Sequence, residues 1–106
     1  MNVKNIFSEI PEGTGEEWFE ELVRTGHFRL ERIVSRGHRT PEGAWFDQDG
    51  AEWVMVLKGR AGLLLEGEKD VVVLNPGDYL QIPAHKKHRV EWTEPEDKTV
   101  WLAVHY

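Results

Sequence analysis

Cysteine is absent from the 106-residue sequence, so the protein has no disulfide bond and no thiolate nucleophile. Any bound metal ion would need nitrogen and oxygen ligands, because thiolate ligands are excluded. Serine is also scarce: Ser8 and Ser35 are the only two, and neither lies in the Gly-x-Ser-x-Gly turn of serine hydrolases. The lack of cysteine favours a cytoplasmic location, which we expect for this protein.

Long hydrophobic runs and an excess of positive charge are missing as well. The longest uninterrupted apolar run covers residues 53–57, far fewer than the roughly 20 residues that cross a bilayer. Thirteen Lys and Arg against 19 Asp and Glu give a net charge of −6. Nucleic-acid binding depends on clustered basic side chains. We therefore expect neither a membrane nor a nucleic acid as a partner.

The composition is that of one globular domain, and its first part differs from the rest. A chain of 106 residues with 40% apolar residues can form a single core. Residues 1–27 are rich in glutamate, and Thr14 with Glu17 forms a capping-box pattern. Apolar side chains then recur at helical spacing at Trp18, Phe19, Leu22 and Val23. We predict a helical appendage over residues 1–27, packed on a second part over residues 28–106.

From Phe28 onward the hydrophobic period changes to two, which is typical of β-strands. Turn residues such as Asp49-Gly50 separate short apolar runs. Eight strands are predicted, over residues 28–34, 44–48, 52–57, 61–66, 70–74, 79–82, 88–92 and 99–105. Eight short strands at this spacing indicate an all-β sandwich or barrel.

Strand alternation brings a small set of polar side chains towards the interior. Glu52 shares a face with Val54 and Val56, and a buried carboxylate needs a compensating cation, metal ion or proton. The predicted strand over residues 88–92 points His88 inward in the same way, together with Trp92. Gln48 lies across a turn from Glu52. Glu52 could instead pair with an arginine, either Arg32 or Arg60.

At these residues the sequence resembles the cupin superfamily. In the first cupin motif two histidines precede a glutamate, and a glycine follows after six residues; Glu52 and Gly59 have that spacing. The second motif is matched by Gly77, Pro83 and His88. The two histidine positions of the first motif carry no histidine. They fall on Phe46 and Gln48 or, with the longer permitted spacing, on Trp45 and Asp47.

The resemblance implies a jelly-roll barrel, also called a double-stranded β-helix, that holds a divalent ion such as Fe, Mn, Ni or Zn. His88 and Glu52 match ligand positions, and Gln48 stands where a ligand histidine would be. The histidines that could complete the site instead are His38, His85 and His105. The side chains expected to line the ligand pocket are Phe46, Trp92 and His105.

Three functions agree with this pattern. The first is a metal-dependent enzyme, namely an oxygenase, isomerase or lyase, that acts on a small organic ligand. The second is a binding or sensor domain that holds a small molecule without metal, and the third is a structural module. Because Trp53 and Met55 would form an apolar outer face, we also expect a homodimer.

Overall fold

The computed structural model describes residues 1–12 and 15–106, and the secondary structure in these ranges consists of strands and turns. None of the described residues forms a helix long and apolar enough to cross a membrane. The strands are β1 (Trp18–Arg24), β2 (Arg29–Ser35), β3 (Glu52–Lys58), β4 (Ala61–Leu65), β5 (Val72–Leu74), β6 (Tyr79–Ile82), β7 (His88–Thr93) and β8 (Thr99–His105).

All strand pairs are antiparallel, and they form two sheets. The larger sheet has the order β1-β2-β8-β3-β6, and the smaller has the order β5-β4-β7. The inner faces of the two sheets meet in one core, to which Val54, Val56 and Trp101 come from the larger sheet and Ala61 and Leu63 from the smaller. The predicted all-β jelly-roll fold is therefore confirmed.

The predicted N-terminal helix is wrong, because Trp18–Arg24 is the edge strand β1 and pairs with β2. The pairing register shifts between Glu21 and Val23, so Leu22 is an extra residue in the strand. Such a bulge breaks the period of two and leaves apolar residues on both parities, which resembles helical spacing in the sequence. Thr14, the predicted capping residue, lies outside the described residues.

The predicted strand over residues 44–48 is reduced to one isolated bridge between Phe46 and His88. The loop before Phe46 is held by hydrogen bonds from the Arg89 side chain instead of by a ladder of backbone hydrogen bonds between strands. The Arg89 guanidinium donates hydrogen bonds to the carbonyl oxygens of Thr40, Pro41 and Ala44, at 3.0–3.2 Å. The described residues contain eight strands, the number that was predicted. β1 is the strand that was not expected, and residues 44–48 are the predicted strand that does not form.

A second buried arginine anchors the N-terminal segment on the outer face of the larger sheet. Arg32 of β2 is 5% exposed and donates to the carbonyl oxygens of Ile6, Ser8 and Glu9 at 3.0, 2.7 and 3.3 Å. Its guanidinium also pairs with Glu20 of β1. The same side chain therefore joins the N-terminal segment and the edge strand to β2.

Candidate functional site

Glu52, the first residue of β3, is buried and contacts two histidines. Its Oε1 lies 3.2 Å from Nε2 of His88, and its Oε2 lies 3.5 Å from Nε2 of His105. The pairing of β3 with β8 sets Glu52 directly opposite His105. Arg32 and Arg60, the alternative partners, instead pair with Glu20 and Glu94.

His88 begins β7, and its ring is fixed on both sides. Its Nδ1 lies 3.0 Å from the carbonyl oxygen of Lys86, a pure acceptor, so this nitrogen carries a proton. The ring of Phe46 stacks on the imidazole with a centroid distance of 5.6 Å, and the two residues exchange backbone hydrogen bonds. The ring therefore presents its Nε2 to Glu52.

His105, near the end of β8, contacts a second glutamate that the sequence analysis missed. Its Nε2 lies 2.7 Å from Oε1 of Glu31 on β2, and its Nδ1 lies 3.3 Å from Oε1 of Gln48. Glu31 is in phase with Ile33, which lines the same interior. The alternation of inward and outward side chains along β2 therefore indicates that Glu31 points inward, as the alternation along β3 does for Glu52.

These contacts form a continuous chain, His88–Glu52–His105–Glu31, which we call the histidine–glutamate cluster. The Nδ1 of His88 faces a backbone carbonyl oxygen, so its Nε2 bears a proton only when the ring is cationic, whereas the Nδ1 of His105 faces the Gln48 amide, which can accept or donate a hydrogen bond. Both Nε2 atoms also face carboxylates, and a lone pair would repel a carboxylate oxygen. The cluster therefore requires a proton or a metal ion at each Nε2, and at His88 the proton makes the ring cationic.

The charge state of His88 follows this demand. Burial lowers the pKa of its imidazole, but the hydrogen bond to Glu52, the Lys86 carbonyl and the negative charge of Glu52 together outweigh burial. The net effect raises the pKa of His88 above its usual value of 6.5. The imidazolium–carboxylate pair therefore persists to a higher pH than the charge of an unperturbed imidazole would.

The cluster lies on the wall of a cavity of about 350 Å³ between the two sheets. This volume is at the small end of the range for ligand pockets. Most of the remaining wall is apolar and comes from Ile33, Val54, Leu63, Ile82, Val90 and Trp101. Phe46 and His105, two of the residues predicted to line the ligand pocket, are part of the lining, as is Gln48, which was predicted as a metal ligand. The cavity combines one polar wall with hydrophobic surroundings, as small-molecule sites commonly do.

Trp92 was predicted to line this cavity, and the structure places it outside. The register of β4 and β7 shifts between Gly62 and Leu63, so Val90 faces the cavity while Trp92 pairs with Gly62. A Cβ atom on Gly62 would lie 2.3 Å from the indole nitrogen of Trp92, so the indole occupies the space that a side chain would take. Its ring contacts the Arg60 guanidinium at 5.8 Å.

The other two candidate histidines lie away from the cluster. The Nδ1 of His38 accepts a hydrogen bond from the Arg36 backbone at 2.8 Å. His85 is exposed and pairs with Asp47 at 3.1 Å. Of the three histidines considered for completing the site, His105 is the one that contacts Glu52.

Within residues 1–12 and 15–106, no three His, Asp or Glu side chains surround a point in the arrangement of a metal centre. In the histidine–glutamate cluster the imidazoles and carboxylates contact one another directly. The donor types, two imidazole nitrogens and two carboxylates, nevertheless suit Zn, Fe, Mn and Ni. The cluster thus has the chemistry of a metal site and the geometry of a hydrogen-bonded chain.

Two antiparallel sheets that enclose such a cavity define a cupin-type barrel. Residues 34–105 match the family model of the cupin domain. The chain therefore belongs to the cupin family. No curated protein matches it at the level of sequence.

Solved structures agree with this assignment. The chain is 44% identical to a protein of Ralstonia eutropha JMP134 provisionally named mannose-6-phosphate isomerase, with 99% of this chain and 97% of that one covered and a TM-score of 0.95. A cupin superfamily protein of Desulfitobacterium hafniense DCB-2 has 18% identity, coverage of 91% and 82%, and a TM-score of 0.73. The polyketide cyclase RemF of Streptomyces resistomycificus has 23% identity, coverage of 86% and 65%, and a TM-score of 0.73. The last two show likeness of fold alone.

Proposed function

We propose that the protein binds a small organic molecule in the barrel cavity, with the polar end of the ligand on the histidine–glutamate cluster. The observation that carries this proposal is the contact of Glu52 with both His88 and His105 inside a cavity whose remaining wall is mostly apolar. The ligand would hydrogen-bond to the cluster and fill the space between the sheets. Binding could serve catalysis or sensing, and the cluster offers acidic and basic groups for proton transfer.

The energetics support a functional role for the cluster. A buried ion pair contributes little to stability compared with well-packed apolar side chains of similar volume, because each charge loses its hydration. His88, Glu52, His105 and Glu31 all lie in largely buried positions. Buried titratable groups grouped in a cavity are typical of binding and catalytic sites.

A second proposal is that the cluster takes up one divalent ion in exchange for its two Nε2 protons. His88, Glu52 and His105 would be the ligands, with Glu31 beside them. A bound ion would supply Lewis-acid polarisation of a ligand oxygen. Gln48, which the family resemblance puts at a ligand position, contacts the opposite nitrogen of His105. In this proposal Gln48 orients the His105 ring, as outer partners of metal-bound histidines commonly do.

The name of the Ralstonia eutropha protein suggests a third candidate function, which is the isomerisation of a sugar phosphate. The cluster contains groups that could move a proton between sugar carbons. The mostly apolar cavity wall favours a less polar ligand than a sugar phosphate, so we include mannose 6-phosphate as a probe.

The test uses wild type, His88→Ala, Glu52→Gln and, as a control, Lys87→Ala at a half-buried neighbouring position. Trp101 lines the cavity, so its fluorescence reports binding of benzoate, benzyl alcohol and mannose 6-phosphate. We expect at least one probe to bind wild type and the control alike and to bind both cluster variants at least tenfold more weakly. Retained binding by folded cluster variants, or no binding by wild type, would contradict the proposal.

Metal uptake is measured on the same proteins after incubation with Mn, Fe, Ni or Zn and dialysis. Stoichiometric retention by wild type and Lys87→Ala, and loss in both cluster variants, is the result expected from an ion at the cluster. Equal retention by all four proteins would place any ion elsewhere.

We also propose that the protein forms a homodimer through the outer face of β3 and β6. The rings of Trp53 and Tyr79 contact each other there in a tilted arrangement with a centroid distance of 5.3 Å, and Tyr79 is 63% exposed. Met55 lies beside them on the same face. A second copy would cover this aromatic patch.

A further inference from the structure

The cavity mouth has features that specify the ligand more narrowly than the cluster does. Phe19 and Phe46 line the cavity and are 52% and 42% exposed, so both rings face the opening. Half-exposed aromatic rings at an opening can contact a flat apolar body. Together with the apolar wall, they favour a ligand with a ring or a short hydrocarbon body.

The mouth also carries two arginines, Arg29 and Arg39. Arg29 has a carboxylate neighbour, since its Nε lies 3.8 Å from Oε2 of Glu31. Among the residues that the structure describes, Arg39 is exposed and takes part in none of the ion pairs. Glu17, the lining carboxylate outside the cluster, accepts a hydrogen bond from the Ser35 hydroxyl. Arg39 is thus a cavity-lining guanidinium that has no anionic partner of its own.

The backbone on both sides of Arg39 is fixed. The carbonyl oxygen of His38 accepts a hydrogen bond from the Thr93 hydroxyl at 2.7 Å. Thr40 exchanges hydrogen bonds with Val90: its backbone nitrogen donates to the Val90 carbonyl at 2.9 Å, and its Oγ1 accepts from the Val90 nitrogen at 2.9 Å. Arg39 therefore starts from an anchored position at the mouth, which lowers the entropic cost of binding an anion there.

We infer that the ligand is an amphipathic organic anion that has, besides the polar group on the histidine–glutamate cluster, a carboxylate or similar group on Arg39, with its apolar body between Phe19, Phe46 and the cavity wall. This inference rests on the proposed function, because it assumes that the cavity binds a small molecule. A planar guanidinium pairs with a carboxylate through two parallel hydrogen bonds, which makes Arg39 a specificity-determining residue.

The experiment compares benzoate with benzyl alcohol, which has a similar ring and no charge, by Trp101 fluorescence at fixed ionic strength. The proteins are wild type, Arg39→Gln and Arg60→Gln. Arg60 is a matched control, because its loss removes the same charge while its guanidinium contacts Trp92 outside the cavity. Thermal unfolding checks that each variant is folded.

We expect wild type and Arg60→Gln to bind benzoate at least tenfold more tightly than benzyl alcohol. In Arg39→Gln this preference should disappear, with the affinity for benzyl alcohol changed less than twofold. The inference is overturned if the preference survives in Arg39→Gln, if Arg60→Gln abolishes it equally, or if mannose 6-phosphate binds more tightly than benzoate.

The outcome also separates this inference from the proposed function. Equal binding of benzoate and benzyl alcohol by wild type, with loss of both in His88→Ala, would overturn the anion inference and leave cavity binding supported. Absence of any probe binding would overturn both.

Discussion

The pairing of His88 with Glu52 determines the charge of the cavity wall. Burial alone would favour neutral imidazole, and the nearby carboxylate reverses this preference. Because the folded-state pKa lies above 6.5, the pair contributes stability that is fully present below pH 6.5 and is lost as the pH rises through the folded-state pKa. The cluster is therefore most strongly paired under mildly acidic conditions.

The first prediction concerns this pKa. In Glu52→Gln the burial of His88 remains while the carboxylate charge is removed, so the pKa of His88 should fall. The measurement is an NMR pH titration of the imidazole resonances in chelator-treated protein. Exposed His27 serves as the internal control, and its resonances should be the same in wild type and in Glu52→Gln. An unchanged His88 titration would show that Glu52 does not set its charge.

The second prediction concerns His85, which has a φ angle of +63°. A side chain in this left-handed conformation costs about 1 kcal/mol or more, and the exposed pair with Asp47 offsets little of it. His85→Gly should therefore raise the free energy of unfolding by about 0.5–1 kcal/mol, measured by urea denaturation. The neighbouring control, Lys86→Gly, should not stabilise the protein. A loss of stability in His85→Gly would contradict this account.

At the residue scale, the sequence was informative where a motif and strand parity agreed. Glu52 and His88 satisfied both criteria, and the structure brings them into contact. Trp92 followed the same parity rule but lies after a bulge, and a one-residue shift reverses the face of every later side chain. Glu31 has no motif around it, and its contact with His105 depends on the pairing of β2 with β8.

At the scale of elements, two irregular segments are held in place by hydrogen bonds from buried arginines instead of by regular secondary structure. Arg32 holds the N-terminal segment, and Arg89 holds the loop before Phe46. Each guanidinium donates to three backbone carbonyls from one rigid plane. A lysine ammonium on its flexible stem does not provide this planar geometry. The outer face of β2 and the cavity mouth are thereby ordered without a helix.

The third prediction follows from the contacts of Arg32. Arg32→Lys should lower the free energy of unfolding by about 2–3 kcal/mol, because carbonyl oxygens of the N-terminal segment and Glu20 lose charge-assisted hydrogen bonds. Limited proteolysis should then cleave within residues 1–12 faster. Arg36→Lys is the control, since exposed Arg36 donates to a single carbonyl, that of Pro11. Equal effects of the two substitutions would argue against the anchoring role.

The strand pattern after residue 28 was largely predictable, because alternating apolar residues and glycine turns mark each strand independently of its partners. The two errors lie at irregular elements. β1 is bulged, and residues 44–48 form a single bridge. β1 depends on its backbone pairing with β2, and the loop before residues 44–48 depends on contacts from Arg89, which is far from it in sequence. The secondary-structure propensity of a short segment does not indicate contacts with residues that lie elsewhere in the sequence.

For the whole molecule, the fourth prediction is the homodimer. The outer face that contains Trp53, Met55 and Tyr79 should be buried between two copies, so light scattering at micromolar concentration should give twice the mass of 12.3 kDa. Trp53→Lys should shift the protein towards monomer, because a desolvated charge is unfavourable in an apolar interface. Phe7→Lys, at an exposed site in the N-terminal segment, is the control. A wild-type monomer would exclude this interface.

The most direct test of the binding site is an NMR spectrum of the imidazole rings recorded without ligand, with benzoate and with Zn²⁺. The five histidines lie in different places, so His27, His38 and His85 act as internal controls for the two cluster histidines. We predict that benzoate or Zn²⁺ shifts the resonances of both His88 and His105 and leaves the three controls unchanged. Shifts confined to the control histidines, or no shift with either probe, would contradict the central claim that the cluster is the binding site of this cupin.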